Sequence, residues 1–505
     1  MEHDISRQNR NGQESLDRLL GGLEDCRIRN SPYYRHLDLD ALLNNAGGHR
    51  TVKCNDRKQV IFIQTALGDF YIKISLLTRP KDRLRHLLLP RRRWAEWNNL
   101  HKLKSLDVEA AEPVMRGQNF DLEPRRFFIV TRAVEGHTLT PASEIDPGLT
   151  GGYIAGLHHK GFYYADWHPG NIVVAPDGRP VLIDAQELFF LGILPGWLRS
   201  HNLGRLYLAL NPMTGEDWFG TFLAAYNRRF RNKVAIEHLR NASIRHYRKH
   251  LRSRTKRCLK NSSEFEILRS REEKIYRRKG FRWDRADILG ALENGVNLKE
   301  KKVIAYKSVC IKIHAKGRFH RDRCLASWIN SRALDLRGID VPTAQGYYRF
   351  DHRSFFIADY IKGGIPLYQF LPTLVGQSNK RKVIRQLARW VRNIHENHIW
   401  QKDFNATNVM YYNNKFLLLD LDNVKLSGLS EPRKILNLAQ LNASTSGKLK
   451  LRDRLRFLYY YYGGCWPPRA QRRAIYARIW GITLTKNTVI FGLDNTDAGS
   501  FRIPR

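Results

Sequence analysis

Acidic side chains are scarce in this chain: 48 Asp and Glu stand against 86 Lys and Arg in 505 residues, a formal charge of +38. A field of that sign disfavours cationic partners and recruits polyanions such as nucleic acid, an acidic membrane surface or a phosphorylated glycolipid, while leaving the fold undecided. Cysteine is sparse too. Its six positions, Cys26, Cys54, Cys258, Cys310, Cys324 and Cys465, include no C-x-x-C, which excludes a zinc ribbon or a disulfide framework and suits a reducing compartment. No stretch reaches the roughly 18 apolar residues of a spanning helix, and the opening MEHDISRQNRNGQ is too polar for a secretory signal. The expectation is a cytosolic protein with peripheral membrane contact left open. A G-x-G-x-x-G phosphate loop is also missing: ahead of its lysine the first copy offers only Gly47, Gly48 and Gly68, and the second only Gly290 and Gly295. The spacing in His395-Glu396-Asn397-His398 is wrong for a zinc helix, and His395 reads instead as a loop anchor.

What the chain does have, it has twice. Asp166 is followed five residues later by Asn171 in YADWHPGN, and Asp403 by Asn408 in QKDFNATN. Each motif leads into an apolar strand ending in a further acid, Asp184 after Val181-Leu182-Ile183 and Asp420 after Leu417-Leu418-Leu419. His158 and His395 each stand eight residues upstream of the first Asp, and Asn202-Leu203-Gly204-Arg205-Leu206 matches Asn437-Leu438-Ala439-Gln440-Leu441 downstream. One such motif would be a turn with an Asx hydrogen bond. Repetition at an offset of about 235 to 239 residues points to two copies of one domain.

Length agrees, since 505 residues with 42% hydrophobic content can bury two cores of roughly 200 to 250 residues each. Residues 1–45 read as a polar extension with a helical piece from Ser15 to Leu23. The strands Gln59–Ile63 and Phe70–Ile74 form an antiparallel pair around Gly68, a helix runs from Arg91 to Leu106, and Phe127–Val130 is a later strand. The order repeats in Val309–Ile313, Leu325–Leu336 and Phe355–Ala358. We therefore expect an α+β fold of tandem protein-kinase-like bilobal domains, at 46–240 and 281–505, each with a small antiparallel-sheet lobe carrying one helix and a larger helical lobe. Residues 241–280 form a basic connector that either links the domains or supplies the first strands of the second. Arg228 to Lys279 carries nineteen Lys and Arg against five acids.

The chemistry such a layout implies is phosphoryl transfer. Asp166 and Asp403 are the candidate bases. Asn171, Asp184, Asn408 and Asp420 are candidate Mg2+ ligands, hard oxygen donors suited to that ion. Lys73 and Lys312 are candidate ATP-phosphate contacts, with Glu96 on the following helix as the partner of Lys73. Aligning Trp97 with Trp328 puts Ser327 where that acid should recur. Asp422 reads as an exposed loop acid, or else an assistant to Asp420. His168 is open between a ligand contact and a structural hydrogen bond. The apolar run Leu188 to Trp197 is expected to pack in the core, with lipid contact as the alternative. Arg79 to Arg93 reads as a solvated basic face.

These motifs resemble the bacterial lipopolysaccharide core kinases, the Kdo and heptose kinases with a protein-kinase-like fold. Asp403-Phe404-Asn405-Ala406-Thr407-Asn408 with Leu419-Asp420-Leu421-Asp422 is similar to the Kdo-kinase catalytic loop and metal-binding Asp, and Asp166-Trp167-His168-Pro169-Gly170-Asn171 to a form also found in small-molecule phosphotransferases. The resemblance implies an ATP- and Mg2+-dependent kinase of a core sugar hydroxyl at the cytoplasmic face of the inner membrane, where the anionic surface would meet the basic protein. Ser327, and Tyr164 and Gln401 in place of the usual His, depart from the pattern. The first copy keeps the full Lys, Glu, Asp, Asn, Asp set and is expected to be the catalyst, the second being active, weakened or regulatory. The competing reading is a tandem pseudokinase that binds anionic glycolipid or RNA without turnover. No RRM or OB-type stacking motif supports RNA. A protein or small-molecule acceptor would use the same site.

Overall fold

The computed structural model describes residues 23–490 except 24–25, 45, 56, 79–82, 84–92, 122–124, 140–145, 300–301, 316–320, 446 and 448. The helical piece expected from Ser15, and most of the basic run Arg79–Arg93, lie outside these residues. The chain divides into two compact units, 1–248 and 249–505.

Unit 1 opens with strand β1 (Arg27–Asn30) and helix α1 (Leu39–Asn44), followed by β2 (Ala46–Cys54), β3 (Lys58–Thr65), β4 (Gly68–Leu76), helix α2 (Ala95–Ser105), β5 (Pro113–Asn119) and β6 (Arg126–Arg132). The six strands form one antiparallel sheet in the order β1-β5-β6-β4-β3-β2. Strand β4 shows why the sheet has two different faces. Phe70, Ile72 and Ile74 are buried on one side, and the alternation turns Lys73 to the other. The apolar side packs against Leu37, Leu39 and Leu42, while α2 meets Lys73 on the opposite side.

Residues 27–44 are thus not a polar extension. Strand β1 completes the sheet beside β5, and Leu39 and Leu42, each about 1% exposed or less, seal its back at about 1.5–3 kcal/mol apiece. The sequence pattern hid this because three buried leucines sit among charged neighbours, below the periodicity of a full helix.

The helical part of unit 1 contains β7 (His137–Thr138), α3 (Pro147–His159), β8 (Phe162–Tyr164), β9 (Ile172–Val174), β10 (Pro180–Leu182), β11 (Leu188–Phe190), α4 (Gly196–Asn227) and α5 (Ile236–Thr255). Asp146 caps α3 by accepting from the Gly148 and Leu149 N–H groups. Helix α4 is broken at Gly215, whose φ of 77° leaves the helical region. The short strands between α3 and α4 present the candidate site. The division between units falls inside α5.

Unit 2 repeats the order with more strands: β12 (Phe265–Arg269), β13 (Lys274–Arg278), α6 (Arg285–Asn294), β14 (Val296–Lys299), β15 (Val303–Tyr306), β16 (Val309–Ala315), α7 (Arg323–Asp335), β17 (Ala344–Phe350) and β18 (Arg353–Asp359). Its seven-stranded antiparallel sheet runs β12-β13-β17-β18-β16-β15-β14. Residues of the basic connector therefore supply β12 and β13, and Ile288 and Ala291 of α6 cover Val309 and Ile311 on the back of the sheet. The helical part holds β19 (Ile365–Pro366), α8 (Gln377–Glu396), β20 (Trp400–Gln401), β21 (Val409–Tyr412), β22 (Lys415–Leu418), β23 (Val424–Lys425), α9 (Glu431–Ser444), α10 (Leu451–Tyr461) and α11 (Arg469–Ile490). Each unit is an α+β domain of kinase-like order, with an antiparallel sheet lobe followed by a mainly helical one. Among the described residues no helix is long and apolar enough to cross a membrane.

Candidate active site

In unit 1 the Lys73 ammonium is paired with Glu96 of α2 and donates to the Ile183 carbonyl at 3.0 Å. Both partners of the pair are largely withdrawn from solvent, with side-chain exposures of 13% and 6%. Burial alone would lower the lysine pKa, yet the charges of Glu96 and Asp184 carry it above its ordinary value. Asp184 shows the converse. Burial would raise it, but Lys73, Lys58 and Lys53, together with the Gln186 N–H, hold it below the usual carboxylate range and keep it ionised. Lys58 Nζ lies 4.0 Å from the Asp184 carboxylate.

The loop after β8 is tied by side-chain bonds. Asn171 Nδ2 donates to the Tyr164 hydroxyl at 2.8 Å and to the Asp166 carbonyl at 3.0 Å, with the Asp166 carboxylate at 3.4 Å. The Ile183 N–H donates to the Asn171 carbonyl at 3.0 Å, so the strand that delivers Asp184 is fastened to the same loop. Asp166 keeps an exposed carboxylate, met by Arg205 of α4 at 3.2 Å. His168 accepts from the Gly170 N–H at 3.0 Å, a local cap. Asn171 spends its amide nitrogen within the loop, so its oxygen is the atom left for a cation. That oxygen and the ionised Asp184 are a donor set that fits Mg2+. Among the described residues no cluster of three or more His, Cys, Asp or Glu could hold a metal by itself, so phosphate oxygens would have to complete the shell.

Beneath the loop, Asn202 Oδ1 accepts from Trp167 Nε1 at 2.7 Å and from His158 Nε2 at 2.9 Å, and its amide donates to the Tyr164 carbonyl at 2.6 Å. With Nε2 donating, His158 Nδ1 accepts from the Tyr226 hydroxyl at 2.7 Å. Burial pushes this neutral imidazole down to about 4.

Unit 2 repeats four of these bonds from the matching residues. Asn408 Nδ2 donates to the Asp403 carbonyl at 2.9 Å, and the Leu419 N–H to the Asn408 carbonyl at 2.8 Å. Asn437 donates to the Gln401 carbonyl at 2.7 Å. His395 Nδ1 pairs with the Tyr461 hydroxyl at 2.7 Å, and burial pushes it too down to about 4. Gln401, where a histidine was missed, donates to the Leu419 and Asp420 carbonyls at 3.0 and 3.2 Å.

The lysine is held differently. Lys312 bonds to Asp420 itself and approaches Asp422 at 3.2 Å, while Arg323 at the start of α7 pairs with the far side of Asp422. Asp422 is therefore no exposed loop acid: it is 2% exposed, and Lys312 and Arg323 hold its carboxyl below the usual range against the effect of burial. Ser327 bonds only to the carbonyl of Arg323, one turn back. The acid that α2 supplies in unit 1 comes in unit 2 from the loop, with a cation on the helix.

A pair of anchors escaped the sequence reading. Asn99 of α2 donates to the Ala185 and Leu188 carbonyls, both at 2.8 Å, and Asn330 of α7 to the Leu421 and Val424 carbonyls at 2.7 and 3.1 Å. These are the first and fourth residues after Asp184 and after Asp420, so the asparagine pins the acid-bearing loop to the sheet-lobe helix in both units. The available signal was an Asn two residues after each aligned Trp. The apolar run after Asp184 also differs from the expectation of core packing. Leu188 and Leu194 are buried, but Phe189, Phe190, Leu191, Ile193 and Trp197 are exposed, Ile193 by 84% and Trp197 by 72%. Among the described residues β11 pairs with β8 alone, in a two-stranded ribbon, and α2 touches it through Asn99 and through Lys102, whose ammonium lies 3.2 Å from the Phe190 ring centre.

Residues 310–461 match the model of the lipopolysaccharide kinase (Kdo/WaaP) family. By this match the chain is a kinase. The matched stretch contains Lys312, Asp403, Asn408, Asp420 and Asp422. Among solved structures, an aminoglycoside-3'-phosphotransferase of type VIII is 17% identical over 41% of this chain and 97% of its own, at a TM-score of 0.30. The structure of WbdD is 15% identical over 40% of this chain and 50% of its own, at 0.27. Those two likenesses are too low to bear on fold or activity.

The buried histidines set a pH dependence. Each is neutral when folded but titrates near 6.5 when unfolded, so its contribution is complete above pH 6.5 and is lost as pH falls toward 4. The loss is about 2 kcal/mol per histidine at pH 5. Denaturant unfolding between pH 7.5 and 5 should show this fall, and His158→Gln should flatten it; an unchanged slope in the variant would contradict the assignment.

Proposed function

We propose that the protein transfers the γ-phosphoryl group of ATP, with Mg2+, to a hydroxyl of a lipopolysaccharide core sugar, Kdo or heptose, and that unit 1 is the catalyst. One observation carries the reading: in unit 1 a buried Lys–Glu pair, an ionised Asp184, Asn171 and the exposed Asp166 carboxylate are bound into a single network. Bound Mg2+ would neutralise phosphate charge between Asp184 and Asn171. Lys73, fixed by Glu96, is placed to hold phosphate oxygens. A sugar hydroxyl brought to Asp166 would give its proton to that carboxylate as its oxygen bonds to phosphorus and the bond to the departing ADP oxygen breaks. The matched side-chain bonds support reading the units as two copies of one domain.

The sugar class comes from the family matched in unit 2, taken together with the charge of +38. We place the protein at the cytoplasmic face of the membrane that carries such an acceptor. The exposed Phe189, Phe190, Leu191, Ile193 and Trp197 beside the site are suited to enter an anionic lipid interface. In unit 2 the lysine engaged by both loop acids favours a nucleotide-binding, regulatory role over turnover.

Two outcomes test the proposal. Asp166→Asn should lower phosphate transfer to purified core oligosaccharide by about 10²–10⁴-fold while leaving ATP affinity intact; undiminished transfer would place the chemistry elsewhere. Replacing Ile193 and Trp197 together by serine should weaken co-sedimentation with anionic vesicles several-fold, and equal sedimentation would remove the membrane role of this segment.

A further inference from the structure

In kinase-like domains the hairpin before the lysine strand covers the nucleotide phosphates, and glycines let its backbone amides approach them. Neither hairpin tip in this sequence carries a glycine. In unit 1 the tip amides of Arg57 and Lys58 are already taken, donating to the Asn55 side chain at 3.0 and 2.9 Å. The turn closes further through Asn55 N–H to the Lys58 carbonyl at 3.1 Å. A phosphate arriving there would find few free backbone donors.

It would find ammonium groups. Strand register sets Lys53 of β2 opposite Val60 of β3, and Val60 opposite Lys73 of β4. Cross-strand partners share a face, so Lys53 and Lys73 flank Val60 on the side turned to Asp184. Lys58, two residues before Val60, has the same facing and reaches to 4.0 Å from Asp184. Unit 2 has an identical row: Lys299 of β14 faces Val303 of β15, which faces Lys312 of β16. In both units the register slips just before the outer lysine, between Thr51 and Lys53 and between Asn297 and Lys299. A bulge re-aims a side chain.

Lysines on an edge strand commonly serve only to block pairing with another sheet. That accounts for Lys53 or Lys299 taken singly. It does not account for Lys58, which is on the inner strand and within ion-pair range of the candidate metal ligand, nor for the recurrence of the row.

We infer that the hairpin lysines, Lys53 and Lys58 in unit 1 and Lys299 in unit 2, bind the nucleotide's terminal phosphates in place of a glycine loop. The inference rests on the proposal that unit 1 binds Mg-ATP. Without nucleotide Lys58 balances the charge of Asp184; with it, the same ammonium turns to phosphate oxygen and frees the carboxylate for the cation.

The test uses the full-length chain carrying Lys312→Ala and Asp420→Ala, so that binding reports on unit 1, with titration calorimetry of Mg-ATP and ligand-observed NMR of adenosine. Lys53→Gln with Lys58→Gln should weaken Mg-ATP about tenfold or more, leave adenosine unchanged, and keep the unfolding midpoint of the parent. Lys53→Arg with Lys58→Arg should retain most of the affinity. Unchanged Mg-ATP affinity in the Gln variant, or an equal loss for adenosine, would overturn the inference while the nucleotide site stands. Failure of the parent itself to bind Mg-ATP would instead bring down the proposed function, and this inference with it.

Discussion

A buried ammonium is the constraint around which unit 1 is arranged. Strand alternation drives Phe70, Ile72 and Ile74 into the back of the sheet and so forces Lys73 to the other face, out of water. A charge there is tolerable only with anionic company. Glu96 supplies it from α2 and Asp184 from the far loop, and the Ile183 carbonyl accepts a further hydrogen bond from the ammonium. The electrostatic need of one side chain therefore draws strand, helix and acid-bearing loop together, with Asn99 clamping the same helix to the same loop by neutral bonds.

Unit 2 solves the same problem with the charges exchanged. Its helix carries Arg323 where an acid would be expected nearby, and Asp422 moves into the interior to meet both cations. Removing one member of such a set leaves another buried and unpaired, which costs more than the pair contributes. The consequence is a lysine bonded directly to Asp420, whose counterpart in unit 1, Asp184, instead has Lys58 at 4.0 Å. Two units with matching loops can thus differ in chemistry through the source of a single acid.

How much of this could be read from the sequence depended on range. The Asp-Asn-Asp spacing was legible because it is local: a loop five residues long and one strand pair fix it, and the repeat doubled the signal. The lysine strands and the helices at Trp97 and Trp328 were legible from alternation and from apolar residues at threes. What escaped were long-range partners. Asn99 and Asn330 look like surface helix residues until the loops 86 and more residues away fold over them. Asp422 looked solvated because nothing adjacent in sequence reveals Arg323. The leucines of α1 sit in charged surroundings whose composition suggested a tail, and burial against a sheet made elsewhere decided their state; β12 and β13 follow one of the two roles expected of the basic connector. For the segment after Asp184 the error ran the other way: hydrophobicity suggested core, but most of its large apolar side chains stay exposed around a two-stranded ribbon.

The account's central claim is that the Lys73 network of unit 1 is a Mg-nucleotide site. It is tested most directly with an acyl-phosphate derivative of ATP, which acylates lysines lying against bound phosphates, followed by peptide mass spectrometry of the full-length protein. The account predicts modification of Lys73 or the hairpin lysines beside it, suppressed by excess Mg-ATP but not by adenosine. Labelling spread over surface lysines, with no protection at Lys73 or its neighbours, would contradict it.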